Sequence, residues 1–220
     1  MKLREFTMYE PVRKIGISSR SITGTMPNGN RYESSLERDL MILMDFDPSV
    51  HLYTPQPLVI KYQSSDGKNH RYTPDGLIEY RSRDKSKKAN VILVEVKYRS
   101  DFVNKFNEVL PKFRAANLYA KNMGWEFKIF TDDRIRGPFL ENAKFLNAYK
   151  SYFHEDFDLL ITEKLEKLRV STPKELVCSI FKDKWNQAKM IPVLWGMIAR
   201  REVGCDLTKT LTMKTTIWSL

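Results

Sequence analysis

The chain has 220 residues, of which 42% are hydrophobic and 29% charged, so it can bury a substantial core and has the composition of a soluble globular protein. No apolar stretch reaches the ~20 residues that span a bilayer, and the N-terminus lacks the apolar block of a signal peptide, so we expect an intracellular protein. The formal net charge of +10 favours a polyanionic partner, most simply nucleic acid.

Cysteine and histidine are too few to support a disulfide framework or a zinc site. Cys178 and Cys205 lack metal-ligand spacing, so we expect reduced, structural thiols. The histidines, His51, His70 and His154, are scattered along the chain. This scatter argues against zinc and against a histidine-dependent mechanism.

Residues 1–33 have the composition of an arm or loop rather than of an independent core, because glycine, proline and small polar residues are frequent there. The basic residues of this segment include Arg13, Lys14, Arg20 and Arg31. Such an arm can lie along a DNA backbone, or it can be ordered only by a partner. The sequence leaves both interpretations open.

Ser34 or Ser35 opens a predicted helix that ends near Met44, since apolar residues recur there at helical spacing. Ser34 and Glu37 also have the spacing of a capping box, in which the glutamate satisfies a backbone donor. From these residues alone, capping is the preferred role for Glu37.

Two antiparallel strands are predicted next. Residues 57–62 form the first strand, and a turn at residues 64–68 joins it to a second strand over residues 72–80. A proline and a glycine flank Asp75 and make it a local irregularity. The carboxylate of Asp75 can therefore be aimed toward the following strand.

Residues 81–88 are strongly basic and connect this strand to the next one. They are either a solvated loop or a contact for the DNA backbone. Val91–Lys97 then begins with four large apolar residues, which predicts a central strand buried on both faces. Because side chains alternate along a strand, Glu95 and Lys97 project from the same face.

The following segments alternate helix and strand. A long helix is predicted from Asp101 to Met123 with a kink at Pro111, then a strand over residues 125–130 and a helix from Gly137 to about residue 151. The order of elements by itself establishes only an α/β protein.

Residues 152–220 change to short helical patterns followed by a threonine-rich stretch, residues 207–218, that favours strands. Three helices and a hairpin suggest a winged helix. The alternative is a small packing appendage, and a winged helix can serve protein contacts as well as DNA.

Asp75, Glu95 and Lys97 have the residue types that phosphodiester hydrolysis requires. Two neighbouring carboxylates suit a hard cation such as Mg²⁺, with Mn²⁺ as a substitute. A lysine beside that cation can orient or deprotonate a water and offset charge on a phosphate. The alternative is that Asp75 makes a turn while Glu95 and Lys97 form an ordinary surface ion pair.

Residues 72–75 followed by residues 93–97 resemble the PD-(D/E)XK motif of restriction-endonuclease-like nucleases. The wider sequence, over about residues 20–150, is similar to the nuclease domain of the TnsA family, the endonuclease subunit of heteromeric Tns-type transposases. The matching segments, in order, are residues 33–40, 45–50, 56–57, 72–75, 95–101 and 129–132. The order and spacing of these segments, rather than any one of them, make the resemblance specific.

The resemblance implies an α/β fold with a restriction-endonuclease-like mixed sheet flanked by helices, over residues 34–151. The winged-helix-like domain expected over residues 152–220 comes from the pattern of that segment. The resemblance further implies that Asp75 and Glu95 bind Mg²⁺, that Glu37 completes the acidic site directly or through water, and that Lys97 is catalytic. Where some members carry glutamine, this chain has Glu95, which leaves the number of metals open.

The resemblance also implies a role in DNA transposition. A TnsA-type protein cuts the 5′ strand ends of the transposon, while the transposase TnsB cuts and joins the other strand and the ATPase TnsC regulates the complex. We therefore expect transposon-end DNA, TnsB and TnsC as partners, with TnsC contacting the C-terminal region, and a bacterial cytoplasmic location at the nucleoid. Two alternatives stay open: a stand-alone restriction or repair nuclease, and a non-catalytic DNA-binding or assembly module.

Overall fold

The computed structural model describes residue 12 and residues 22–64, 66–82 and 89–220. Most of the predicted basic arm and residues 83–88 of the predicted basic loop lie outside these described residues. The chain divides into two compact units, Met1–Ile135 and Arg136–Leu220. Within the described ranges, no helix is long and apolar enough to cross a membrane.

The first unit contains both strands and helices, with a run of consecutive strands between α1 and α2. Its described elements are β1 (Gly24–Thr25), β2 (Arg31–Tyr32), α1 (Ser35–Phe46), β3 (Val50–Pro55), β4 (Ile60–Gln63), β5 (Asn69–Tyr72), β6 (Gly76–Tyr80), β7 (Val91–Lys97), α2 (Arg99–Asn104), α3 (Phe106–Met123), β8 (Glu126–Thr131) and α4 (Asp132–Ile135).

The main sheet of this unit has the strand order β3-β6-β7-β8. The pairs β3–β6 and β6–β7 are antiparallel, and β7–β8 is parallel, so the sheet is mixed as predicted. Strand β7 lies inside the sheet, and residues 92–96 are all buried. The predicted central strand is confirmed.

The side chains of β7 alternate between the two faces of the sheet, and a helix packs on each face. Ile92, Val94 and Val96 pack in one cluster with residues of α1. Leu93 packs in a second cluster that includes Ala116 and Ala120 of α3. Residues of β7 with the same parity as Leu93 therefore face α3, and these include the charged residues at the end of the strand.

The structure corrects two predictions about strands. The first strand of the main sheet is β3, which sequence analysis missed, because an irregularity between Val50 and Leu52 interrupts its alternating pattern. The strand predicted at residues 57–62 is β4, which pairs with β5 in a separate two-stranded sheet. The strand predicted over residues 72–80 is divided, since β5 ends at Tyr72 and β6 begins at Gly76.

The long helix predicted from residue 101 is also divided. It breaks at Lys105, between α2 and α3, rather than at Pro111. Lys105 has φ −110° and ψ 19°, outside the helical range, whereas Pro111 lies within α3. Gly124 ends α3 with a φ of 74°, which glycine adopts without steric cost.

The second unit contains the remaining helices and a small sheet. Its elements are α5 (Pro138–Asn147), α6 (Glu155–Leu168), β9 (Val170–Ser171), α7 (Pro173–Ile180), α8 (Lys184–Ala199), β10 (Val203–Cys205) and β11 (Ile217–Ser219). The sheet is antiparallel with the order β10-β11-β9. Helix α5 lies in this unit, although sequence analysis grouped it with residues 34–151.

The predicted helices of the second unit are present, and a capping box of Thr172 and Glu175 begins α7. The strand pattern predicted for residues 207–218 is mostly wrong, because only its last two residues lie in β11. The buried side chain of Asn142 bonds to the backbone at residues 207, 209 and 211, which fixes this segment as a loop.

Candidate functional site

The register of β6 and β7 brings Asp75 and Glu95 to neighbouring positions. Gly76 pairs with Val94, so Asp75 and Glu95 stand at the next opposed positions along the two chains. Because β6 starts only at Gly76, the carboxylate of Asp75 accepts the N–H of Val96 at 2.7 Å in place of a strand carbonyl. The irregularity predicted at Asp75 therefore turns its side chain toward β7.

The main chain at Asp75 is fixed by two contacts from the segment around β3. The N–H of Gln56 donates to the Asp75 carbonyl at 3.0 Å, and the Tyr53 hydroxyl donates to the same oxygen at 3.4 Å. The ring of Tyr53 also occupies the space that a Cβ at residue 76 would need, so Gly76 is required for this packing.

The electrostatics place Asp75 and Glu95 within each other's influence. Burial raises the pKa of Asp75 well above its ordinary value, and the charge of Glu95 raises it further. Lys97 and the Val96 N–H act in the opposite direction. A nearby cation would stabilise the charged form of this carboxyl group.

Glu95 is the most heavily contacted acid of the site, and its exposed fraction is only 1%. Its Oε1 atom lies 3.2 Å from the Lys97 ammonium and 2.9 Å from the Lys112 ammonium. The hydroxyl of Tyr72 donates to its Oε2 atom. Two ammonium groups and a phenol thus satisfy a carboxylate that would otherwise be buried without compensation.

Lys97 remains a cation in this environment. Burial acts to lower its pKa, but the charges of Glu95, Asp75 and Glu37 outweigh that effect, so the pKa is raised. The side chain is 32% exposed, so its ammonium group can meet a ligand while it contacts Glu95. Lys97 is therefore suited to offset negative charge rather than to take up a proton.

Glu37 has part of the predicted capping geometry: Ser34 caps the helix, but the Glu37 carboxylate accepts the N–H one residue before the cap rather than that of Ser34. The Glu37 N–H donates to the Ser34 hydroxyl oxygen at 3.1 Å, and its carboxylate accepts the Ser34 hydroxyl at 2.8 Å and the Glu33 N–H at 3.1 Å. Burial is the main reason that its pKa is raised. Its charge also raises the pKa of Asp75 and of Lys97, so Glu37 acts on the site electrostatically.

Asp75 and Glu95 form a donor set of hard oxygens, which fits Mg²⁺ because that ion is usually held by one or two carboxylates and keeps several waters. Among the residues that the structure describes, no three acid, histidine or cysteine side chains are grouped closely enough to hold a metal ion. A three-carboxylate cage is therefore not present there, and direct ligation by Glu37 stays a prediction.

Sequence analysis missed two residues that contact Glu95. Tyr72 stands beside the motif but carries no charge that would draw attention to it. Lys112, Ala116 and Ala120 are spaced four residues apart in α3, so all three lie on the same face of the helix, the face that is buried. A lysine on the apolar face of a predicted helix is unusual, and that feature of the sequence could have identified Lys112.

Comparison with known proteins agrees with the resemblance seen in the sequence. Residues 47–132 match the family described as TnsA-like endonuclease N terminal. The match includes Asp75, Glu95 and Lys97, whereas Glu37 precedes it. A search of curated proteins found no significant match. Residues 47–132 are therefore similar to a TnsA-like endonuclease N-terminal domain.

Proposed function

We propose that this protein is the Mg²⁺-dependent DNA endonuclease subunit of a heteromeric transposase and that it cuts the 5′ strand ends of the transposon. The observation that carries the proposal is the strand register that sets Asp75 beside Glu95, with Lys97 on the same face as Glu95. The endonuclease family of residues 47–132 supports the same reaction class.

The residues of the site take distinct roles in this reaction. Asp75 and Glu95 hold the metal, which when bound supplies Lewis-acid activation of a water and of the phosphate. Lys97 orients the attacking water and offsets charge that develops on the phosphate, since its raised pKa keeps it protonated. Lys112 and Tyr72 hold Glu95 in position. Glu37 contributes through its charge or through a bound water.

The C-terminal unit supports a second part of the proposal. After α5 its elements follow the order α6-β9-α7-α8-β10-β11, with the last two strands paired antiparallel, which is consistent with a winged helix. We propose that this unit contacts the ATPase regulator TnsC, and that the transposase TnsB cuts and joins the opposite strand. We propose these partners because residues 47–132 match a TnsA-like endonuclease domain, although the C-terminal unit lies outside that match.

The test combines the protein with its partner transposase, transposon-end DNA and Mg²⁺, and maps the nicked strand. Wild type is expected to cut the 5′ strand, and Asp75→Ala and Lys97→Ala are each expected to abolish that cut while the complex still assembles. Asp133→Ala, which removes an exposed carboxylate paired with Arg99, is the matched control and should cut normally.

Other outcomes would replace the proposal. Cleavage by the purified protein without a transposase would favour a stand-alone nuclease. Loss of assembly in Asp75→Ala, with cleavage retained, would favour a DNA-binding or assembly module whose acidic residues are structural.

A further inference from the structure

The β4–β5 hairpin presents cations that the candidate site does not use. The two strands are paired so that Ile60 faces Tyr72 and Lys61 faces Arg71. Directly opposed residues of an antiparallel pair project from the same side, and successive pairs alternate. Ile60 and Tyr72 are buried against the core that includes residues of α3, so Lys61 and Arg71 lie together on the solvent side.

Lys61 and Arg71 are an opposed pair of like charges. Both are exposed, and no described residue forms an ion pair with either of them. Like charges directly opposite each other destabilise a strand pair. The hairpin therefore keeps an arrangement that weakens it, and an anion binding to both side chains would remove the repulsion.

A third cation faces this hairpin across a groove. The groove has a volume of about 650 Å³ and lies between β4 and α3, with Lys61 on one wall and the exposed side chain of Arg114 on the other. Its polar lining consists of side chains that can donate hydrogen bonds, including Gln63 and Asn107, and no acidic residue of the described chain lines it. This combination is complementary to a polyanion.

The hairpin and α3 each carry a residue that contacts Glu95. Arg71 immediately precedes Tyr72, whose hydroxyl contacts Glu95, and α3 carries both Arg114 and Lys112, whose ammonium contacts the same carboxylate.

We propose that Lys61 and Arg71, the hairpin surface, bind the sugar-phosphate backbone of DNA, and that Arg114 adds a third contact across the groove. That this DNA is the cleaved substrate rests on the proposed function, whereas the binding itself does not. The contacts are to phosphates, so they supply affinity and register without reading sequence.

The test measures binding of a fluorescein-labelled DNA duplex by anisotropy over a range of salt concentrations, in EDTA so that no cleavage occurs. The variant is Lys61→Ala/Arg71→Ala. The control is Lys167→Ala/Lys184→Ala, which removes two exposed charges from α6 and α8. Each phosphate contact contributes about −0.9 to the slope of log affinity against log salt, so the hairpin variant should flatten that slope by about 2 relative to the control.

Two further readouts separate binding from folding. The hairpin variant should melt at or above the wild-type temperature, because it removes a like-charge repulsion. Lys61→Arg/Arg71→Lys, which keeps both charges, should keep the wild-type slope. A hairpin variant that melts at a much lower temperature would show that the pair is structural and would overturn the proposal.

Equal slopes for the hairpin variant and the control would also overturn it. So would an unchanged slope with lost binding of the transposase partner, because the surface would then serve an acidic protein. A different experiment tests the proposed function: if it fails, Asp75→Ala still cuts DNA. The binding measurement on the hairpin variant is made in EDTA without cleavage, so its outcome does not depend on that result.

Discussion

Lys112 provides the sharpest test of how the buried acid of the site is stabilised. Its ammonium lies 2.9 Å from Glu95, whose side chain is 1% exposed, while Lys112 itself is 23% exposed. Removing one partner of a buried ion pair costs about 3–5 kcal/mol when the remaining charge is left alone. Lys97 still contacts Glu95 at 3.2 Å, so we expect Lys112→Met to destabilise the metal-free first unit by about 2 kcal/mol.

The control is Lys128→Met, which breaks an ion pair of the same 2.9 Å length between Lys128 and Glu126, with side chains that are 48% and 52% exposed. Solvent screens this pair, so its loss should cost less than about 0.5 kcal/mol. The assay is hydrogen-exchange mass spectrometry in urea on peptides from β6 and β7, because these report the unfolding of the first unit alone. Mg²⁺ should then stabilise Lys112→Met more than wild type, since Glu95 has lost one compensating charge.

Equal losses in the two variants, or a loss below about 0.5 kcal/mol in Lys112→Met, would refute the view that the buried Glu95 side chain depends on its two lysine partners. A Mg²⁺ effect of the same size in both variants would separate Lys112 from the metal site.

Three further predictions concern the residues around the site. The pKa of Asp75 is raised in the folded protein, so protonated Asp75 contributes stability below the ordinary carboxyl pKa, and this stability is lost as the pH rises through the raised pKa. We therefore expect Asp75→Asn to melt at a higher temperature than wild type at pH 8 but not at pH 4. The variant should also lose cleavage. Gly76→Ala should lower stability by about 1–3 kcal/mol in chemical denaturation, because the ring of Tyr53 fills the space that the new methyl group would need. Ser34→Ala should lower the free energy of unfolding by about 1 kcal/mol, because the helix loses its N-cap. The variant also removes the Ser34 hydroxyl that donates to the Glu37 carboxylate, so its strand-cleavage rate measures whether that carboxylate influences the reaction.

The central strand and the charged residues at its end could be predicted because the rules that govern them are local. Four consecutive large apolar residues require burial on both faces, and the period of two places Glu95 and Lys97 on one side. The position of Asp75 was also predictable in outline, because proline and glycine interrupt the strand at that point. Its carboxylate was also expected to turn toward the following strand, but its partner there, the Val96 N–H, could not be predicted because that contact depends on the pairing of two strands.

Contacts between distant parts of the chain could not be predicted in the same way. Lys112 reaches Glu95 only after α3 packs on the sheet, and the sequence shows no more than an unexpected charge on an apolar stripe. Strand β3 escaped notice because its irregularity breaks the alternation on which strand prediction depends. The loop near the C-terminus has the composition of a strand, but the buried amide of Asn142 holds its backbone in another conformation.

The most direct test of the site is a calorimetric titration of Mn²⁺ into the protein bound to duplex DNA, in a Lys97→Ala background that prevents cleavage. We expect saturable binding that is lost when either Asp75→Asn or Glu95→Gln is added, and retained when Asp133→Asn is added. Binding of unchanged affinity and stoichiometry in the Asp75 and Glu95 variants would contradict the claim that these two carboxylates together hold the metal.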